Sequence, residues 1–228
     1  MPNSSTQSTA TGQSTATGQA TATGKTRGRR AGAQESTRRA EILATASQVF
    51  ANQGFANTSV RDIGSECGIL SGSLYHHFSS KDAMLLEILE QTMDGLLVKY
   101  LDVKESTDDS RARLRNLFEV ALSFVAYEPN SAKILQNEFQ QLKHVDAFRP
   151  LLKRYNDIRK LVWRDVLDQS VEEGLIRPDF DLEMAYRIIM GAVLSAVYWL
   201  RPDGKYSVAE VADQYTVILI DGLSLPKS

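Results

Sequence analysis

The chain has 228 residues, of which 43% are hydrophobic and 24% are charged, a composition typical of a soluble globular protein. No apolar run reaches the roughly 18–20 residues that a membrane-spanning helix needs, and the single cysteine excludes an internal disulfide framework and a multi-cysteine zinc site. The net charge of −2 is unevenly distributed, because Lys25–Asp82 holds 8 basic and 5 acidic residues whereas residues 83–228 hold 18 and 23. A basic front segment on an acidic body is expected when one part of the protein contacts phosphate.

Residues 1–30 are predicted to form a disordered, low-complexity tail with a basic end. Repeats of Ser, Thr, Ala and Gly such as Ser8–Gln13 cannot bury apolar surface. Arg29 and Arg30 close this tail, and two interpretations stay open: a solubilising lead-in to the first helix, or an arm that lies on phosphates or in a minor groove. The tail lacks the apolar region of a signal peptide, so we expect a cytoplasmic protein.

From Thr37 onward the hydrophobic periodicity is helical almost throughout, and no segment shows sustained strand alternation. The predicted fold class is therefore all-α. We expect an N-terminal three-helix head over residues 31–82 and a C-terminal helical domain for dimerisation and ligand binding over residues 83–228. Beyond the head and the long helix that follows it, helices are predicted at about 110–127, 130–140, 144–174, 181–200 and 207–223.

Three short helices are predicted in the head. The first ends at Gly54, and Thr58 or Ser59 caps the second. Gly68 permits the positive φ of a tight turn before a third helix at about residues 70–77. Two helices joined by such a turn form a helix-turn-helix, in which the last helix can enter the major groove of DNA.

The motifs of this segment resemble those of TetR-family repressors over about residues 37–90. The matching residues span four helices in register: Ile42, Leu43, Ala46, Phe50, Gly54, Phe55, Thr58, Ser59, Val60, Ile63, Gly68, Gly72, Leu74, Tyr75, His76, His77, Phe78, Lys81 and Asp82. The resemblance implies a repressor that binds double-stranded DNA as a homodimer and responds to a small-molecule effector. One departure is Leu70, which stands where the family commonly has Ser or Thr, so the N-cap of the third helix is missing or shifted to Ser71.

The resemblance also implies which residues contact DNA. It gives Thr58, Tyr75 and Lys81 roles at phosphates, and a hydroxyl, a phenol and an ammonium group can all donate to phosphate oxygens. Gly72 lets the recognition helix approach the duplex closely. The alternative for Tyr75 and Phe78 is that both are core aromatics, an interpretation preferred for Phe78 and, by a small margin, for Tyr75. Together with the two arginines of the tail, the predicted DNA contacts are Thr58, Ser71, Gly72, Ser73, Tyr75, His76 and Lys81.

The helix predicted at 181–200 is apolar on nearly all sides, so several of its sides must be covered. This pattern predicts that the helix and the last helix of the chain, taken from each of two copies, form a four-helix interface. The family resemblance also implies this interface. The alternative is that both helices only cover the core of one protomer. The predicted interface residues are Ile189, Val193, Ala196, Val197, Tyr215 and Ile218.

The predicted effector site centres on Arg159, which interrupts an apolar stripe one turn from Tyr155 and Trp163. An inward guanidinium meets either an anionic ligand or an internal carboxylate, and both interpretations stay open. The candidate internal partners are Glu119, Glu138 and Asp165. The other predicted effector contacts are Phe124, Tyr127 and Met190.

The segment Gly68–Phe78 also resembles actinobacterial TetR-family repressors of sterol catabolism, some of which sense coenzyme A thioesters. This finer resemblance implies a sterol-derived CoA thioester as the effector and no resident cofactor. The alternatives are another hydrophobic ligand or xenobiotic, and a DNA-coating protein without sequence preference. No paired-carboxylate motif, phosphate-binding Gly-rich loop, nucleophile elbow or metal-ligand spacing is present, so neither an enzyme nor a metal site is expected.

Overall fold

The computed structural model describes the backbone of residues 23–222 and the side chains of residues 34–222 except Gln140. This described part contains helices and no β-strand, which confirms the predicted all-α fold class. None of its helices is long and apolar enough to cross a membrane. Most of the predicted tail and the end of the last predicted helix lie outside the described residues.

The helices follow one another with short connections. The α-helices are α1 (Thr23–Gln53), α2 (Val60–Glu66), α3 (Ser71–His77), α4 (Lys81–Glu105), α5 (Ser110–Tyr127), α6 (Pro129–Leu142), α7 (Arg149–Ile158), α8 (Asp165–Glu172), α9 (Leu182–Ser195) and α10 (Val208–Tyr215). Shorter 3-10 turns cover Asp146–Phe148 and Ala196–Tyr198, and π-helical turns cover Arg159–Arg164 and Thr216–Asp221.

Contacts divide the chain into two units, residues 1–38 and residues 39–228. In the first unit, residues 23–38 are helical, so α1 includes the last eight residues of the predicted tail, and the disorder of that tail stays a prediction. The predicted boundary between head and body at residues 82 and 83 stays a prediction.

The turn between α2 and α3 depends on two glycines. Gly68 has a φ of +66°, as the sequence predicts for a tight turn. A Cβ at Gly64 would lie 3.0 Å from the Ile69 carbonyl oxygen and 3.4 Å from Leu74 Cδ1, so a larger residue would force these neighbours to shift by a few tenths of an ångström. The angle at which α3 leaves the head is therefore set by backbone contacts.

The body is organised around α5, which packs against α4, α6, α8, α9 and α10. Its inward side chains Leu114, Leu117, Phe118 and Leu122 have no exposed surface. The single long helix predicted at 144–174 is divided, because α7 starts afresh with a proline in its first turn and a π-helical turn separates it from α8.

Candidate functional site

The start of α2 is fixed by a capping box, which answers the question of its N-cap in favour of Ser59. The Ser59 backbone N–H donates to Asp62 Oδ2 at 2.8 Å, and the Asp62 backbone N–H donates to Ser59 Oγ at 3.2 Å. Hydrogen bonds from the side chain and backbone of Ser59 hold the pKa of the Asp62 carboxyl below its usual range.

The start of α3 lacks such a cap. Leu70 precedes the helix and its side chain makes no capping hydrogen bond, whereas Ser59 and Ser80 cap the neighbouring helices α2 and α4. The departure found in the sequence is therefore a missing cap, with the helix beginning at Ser71, rather than a cap shifted by one residue.

One face of α3 is exposed and carries most of the predicted DNA contacts. Leu74, on the opposite side, is fully buried in the core of the head, and Ser71 is half-buried. The exposed residues are Gly72, Ser73, Tyr75 and His76. The fold thus presents these four side by side, and their contact with DNA stays a prediction.

The two aromatic residues at the end of α3, Tyr75 and Phe78, differ in their environment. Tyr75 is 58% exposed, so its alternative interpretation as a core aromatic is wrong. Phe78 is 3% exposed, which confirms the core interpretation. A phenol held at the surface keeps its hydroxyl available as a hydrogen-bond donor.

Lys81 and Thr58 are engaged inside the protein. The Lys81 ammonium donates to the carbonyl oxygens of Phe55 at 2.7 Å and Thr58 at 2.8 Å, and it lies 4.3 Å from the centre of the Phe55 ring. The Thr58 hydroxyl is buried and donates to the Gly54 carbonyl oxygen at 2.8 Å. The predicted phosphate roles of these two residues are at odds with this geometry, because their donors already stabilise the loop between α1 and α2.

Arg39 fixes the other end of α3. Its guanidinium donates to the His77 carbonyl oxygen, forms an ion pair with Glu87, and lies 4.0 Å from the centre of the Phe78 ring. A cation at the last carbonyl groups of a helix is electrostatically favourable. Sequence analysis missed this role, because Glu87 is 48 residues away along the chain.

A joint between the head and the body lies at Phe55. Its backbone N–H donates to Glu138 Oε1 on α6 at 3.2 Å. Its ring packs edge-on against Phe50 at 5.3 Å and against Phe148 at 6.3 Å between ring centres. We call this arrangement of Phe50, Phe55, Glu138 and Phe148 the Phe55 joint. No local sequence signal predicts it, since its members come from three separate segments.

The body contains a cavity of about 420 Å³. This volume lies within the range of about 300–1,000 Å³ that is usual for small-molecule sites. Of the predicted effector contacts, Phe124, Tyr155 and Met190 line the cavity, whereas Tyr127 is 66% exposed and lies outside the lining. The lining residues are Met93, Leu96, Tyr100, Ala121, Phe124, Leu135, Gln136, Phe139, Tyr155, Ile158, Tyr186, Arg187, Met190, Gly191, Val193 and Leu194.

Arg159 does not line the cavity, because its guanidinium pairs with Glu183 at the start of α9. Glu183 also forms an ion pair with Arg187 at 3.0 Å, and Arg187 does line the cavity. The partner of Arg159 is thus an internal carboxylate, but not one of the three predicted. Those three are engaged elsewhere: Glu119 with Arg115, Asp165 with Lys104, and Glu138 with the Phe55 joint.

Trp163 is a core residue behind the cavity wall rather than a lining residue. Its ring packs 5.7 Å from Tyr100, 5.9 Å from Phe118 and 6.3 Å from Tyr186 between ring centres. Its indole N–H is buried. Burial raises the pKa of the phenols of Tyr100 and Tyr186, so both cavity-lining phenols are neutral donors at physiological pH.

The predicted dimer residues of α9 face inward. Ile189, Val193, Ala196 and Val197 are at most 2% exposed, so they cover the core of the protomer and their predicted interface role is wrong. The Tyr215 hydroxyl donates to the Ala192 carbonyl oxygen at 3.0 Å, also within the protomer.

Other apolar side chains of the same two helical segments are exposed. They form what we call the α9–α10 face: Met184, Ile188, Tyr198, Trp199, Val217 and the predicted Ile218, which are between 48% and 66% exposed. Ile188 and Ile218 also line a surface groove of about 180 Å³. Most of the predicted residues thus lie on the buried sides of α9, because α9 is apolar almost all round, and the surface that a dimer uses stays a prediction.

Within the described residues, no group of three or more His, Cys, Asp or Glu side chains could hold a metal ion.

Comparisons with known proteins agree on one family. The family model described as "Bacterial regulatory proteins, tetR family" matches residues 42–88, and the model described as "Tetracyclin repressor-like, C-terminal domain" matches residues 107–223.

Individual relatives match over most of the chain. The HTH-type transcriptional repressor KstR2 of Mycobacterium tuberculosis is 38% identical over 195 residues, which cover 86% of this chain and 97% of that protein. KstR2 of Rhodococcus jostii is 40% identical over 192 residues, covering 84% and 94%. The solved structure of the ketosteroid transcriptional regulator KstR2 of M. tuberculosis superposes with a TM-score of 0.75 at 39% identity, covering 83% of this chain and 96% of that one.

Proposed function

We propose that this chain, which belongs to the TetR family of bacterial regulatory proteins, is a transcriptional repressor that binds a pseudo-palindromic operator as a homodimer. A small molecule that enters the cavity releases it from the operator. The observation that carries this proposal is the exposed face of α3, a helix anchored in the core by Leu74 and bonded at its last turn by Arg39. Two relatives of the chain are transcriptional repressors, which supports the same function.

The exposed face of α3 has suitable chemistry for a DNA groove. Ser73, Tyr75 and His76 offer hydrogen-bond donors and acceptors for phosphates and base edges. Gly72 has open space around its Cβ position, so the backbone can approach the duplex closely. Arg29 and Arg30 reach toward the same duplex in this proposal, although their side chains lie outside the described residues. DNA as the target places the protein in the cytoplasm.

A second copy of the chain covers the α9–α10 face. Each protomer then presents one α3 to one half-site, which gives a short helix enough contacts for specific binding. Aromatic and large aliphatic side chains at the centre of an interface contribute most of its binding energy. Trp199, Ile188 and Ile218 are the expected centre, since each is about half or more exposed in the protomer.

The dimer and the operator can be tested together. We expect the parent protein to sediment as a dimer and to protect one short palindrome that is found by in vitro selection from random DNA. The variant Ile188→Glu/Ile218→Glu places two carboxylates in the apolar face, so it should be monomeric and bind the palindrome at least 100-fold more weakly. Leu161→Glu, at an exposed leucine outside that face, is the control and should behave like the parent. Equal protection of every DNA offered would instead indicate a DNA-coating protein.

The effector in this proposal is a sterol-derived CoA thioester. The cavity walls are mainly aliphatic and aromatic, which suits a fused-ring or acyl portion, and Gln136 and the neutral phenols supply a few polar contacts. Arg187 belongs to the lining and its side chain is 74% exposed, so it can meet the anionic part of such a ligand. One solved relative is a ketosteroid transcriptional regulator, which supports a sterol-derived ligand.

One observation favours the alternative, a neutral hydrophobic ligand or xenobiotic. Arg159, the cation expected to meet an anion, is already paired with Glu183. A ligand without charge would fill the apolar cavity and leave this ion pair in place.

Operator release distinguishes the two effector classes. We would measure it by fluorescence anisotropy with three probes: a steroid-carboxylate CoA thioester, the corresponding free steroid acid, and coenzyme A. Release by the thioester alone, weakened about tenfold in Arg187→Met, supports the proposal, and Arg201→Met serves as a matched exposed-arginine control. Equal release by the free acid, or an unchanged response in Arg187→Met, supports a hydrophobic ligand without the CoA group.

The role of Arg159 needs its own variants. Arg159→Met should leave operator binding intact and reduce the effector response. If this loss comes from the ion pair, Glu183→Gln should reproduce it and the double variant should be no worse than either single one. Additive losses would instead indicate that Arg159 contacts the ligand directly.

A further inference from the structure

Leu70 stands out among the described residues as a large apolar side chain that is 82% exposed. Single exposed apolar residues are common on protein surfaces and need no explanation by themselves. Leu70, however, lies in the turn that leads into α3, directly before the exposed residues of the DNA-facing helix. At this position, an exposed apolar side chain can contact whatever docks on the exposed face of α3.

The chain also loses stability by having leucine at this position. Leu70 is the N-cap residue of α3, and its side chain makes no capping hydrogen bond. Replacing a Ser, Thr, Asn or Asp cap by an apolar residue typically lowers helix stability. The serine caps of α2 and α4 show that the head otherwise uses this device on both sides of α3. A residue that breaks a local rule without a gain in the folded protomer is expected where function requires it.

Among the described residues, none covers this end of α3. A Cβ added at Gly72, two residues further on, would meet no atom within 4 Å. Leu74, the buried anchor of the helix, faces the opposite side. Leu70 is therefore available to whatever docks on the exposed face, which is DNA in the function proposed above, and this inference rests on that proposal.

The chemistry of leucine narrows what it can recognise there. Its side chain has no donor or acceptor, so it cannot read the hydrogen-bonding pattern of a base edge. The apolar feature of the major groove is the C5-methyl group of thymine. We propose that Leu70 is a specificity-determining residue that packs against a thymine methyl group in each operator half-site.

The test uses the full chain and the palindrome recovered by in vitro selection. Each thymine is replaced in turn by uracil, which removes the methyl group and keeps every hydrogen-bonding group. For the parent, one position in each half-site should show about three- to fivefold weaker binding, the effect expected for one buried methyl group. Leu70→Ala should lose this difference between thymine and uracil. Leu161→Ala, at an exposed leucine of the body, is the control and should keep it.

A second variant separates recognition from folding. Leu70→Ser restores a capping side chain, so its thermal unfolding midpoint should rise while its preference for thymine disappears. The inference is overturned if no thymine position is sensitive to uracil in the parent, or if Leu70→Ala retains the same sensitivity. Failure of the proposed function would look different, because the parent itself would then select no palindrome.

Discussion

The head and the body of this protein use their charged side chains in different ways. In the head, Lys81 and Arg39 donate to loop and helix carbonyl groups, and the outward face of α3 is left to neutral or weakly basic side chains. In the body, an apolar cavity is bordered by the charged group of Arg159, Glu183 and Arg187. A basic segment in the sequence therefore does not show which of its cations face DNA, because some of them hold the reading helix in place.

The largest expected effect comes from Lys81→Met, which tests whether Lys81 holds the head together or contacts DNA. Lys81→Met removes the donor of two carbonyl groups, so we expect the free energy of unfolding to fall by about 2 kcal/mol, measured by urea denaturation. Operator affinity should fall with it, while the slope of log affinity against log salt stays unchanged.

Unchanged stability with a reduced salt dependence would contradict this structural role of Lys81. If Lys81 contacts a phosphate, the variant should keep its stability, and the salt slope should decrease by about one for each protomer.

The Phe55 joint offers a second test, because it connects the head with the body. Leu135, Gln136 and Phe139 line the cavity on the same helix that carries Glu138. Glu138→Leu removes the acceptor of the Phe55 N–H, so effector binding should change operator affinity about fivefold less than in the parent. The ratio of operator affinities with and without effector measures this coupling.

Glu138→Gln is the matched control for this experiment, because its amide oxygen can still accept from the Phe55 N–H. It should retain most of the coupling. Equal coupling in the parent and both variants would show that the effector signal does not pass through this hydrogen bond.

The capping box of α2 gives the smallest expected effect, and it is confined to the head. The pKa of Asp62 is lowered in the folded protein, so its contribution to stability is present above the ordinary carboxyl pKa of about 3.9 and is lost as the pH falls through the folded-state value. Asp62→Asn should lower the thermal unfolding midpoint slightly at pH 7, and this difference should shrink as the pH is lowered below the ordinary carboxyl pKa. A difference that does not change with pH would mean that the charge of Asp62 is not responsible.

Much of the head could be predicted because its determinants are local. Gly54 and Gly68 have the positive φ angles that helix ends and tight turns require, and both are visible as glycines between apolar patterns. Phe78 and Leu74 follow the helical periodicity into the core. The internal hydrogen bonds of Thr58 and Lys81 could not be predicted, because a resemblance identifies a position and not the direction in which its donor points.

The body was harder to predict, and α9 shows why. Ile188 and Ile189 are adjacent and chemically identical, yet the first is 50% exposed and the second 1% exposed. On a helix that is apolar all round, periodicity contains no information about which side meets the core. The pairing of Arg159 with Glu183 joins two helices across 24 residues, and such a long-range contact leaves no spacing signal in one sequence.

The π-helical turn at Arg159–Arg164 has a consequence for insertions and deletions in this part of the chain. Its wider winding holds about one residue more than an α-helix of the same rise, so the side chains of α8 are out of phase with those of α7 by roughly 100°. Loss of one residue here would let the backbone continue as a regular helix but would rotate every later side chain away from its present neighbours. A natural variant shortened by one residue in this turn should therefore carry compensating changes in the residues that surround Val166 and Leu167.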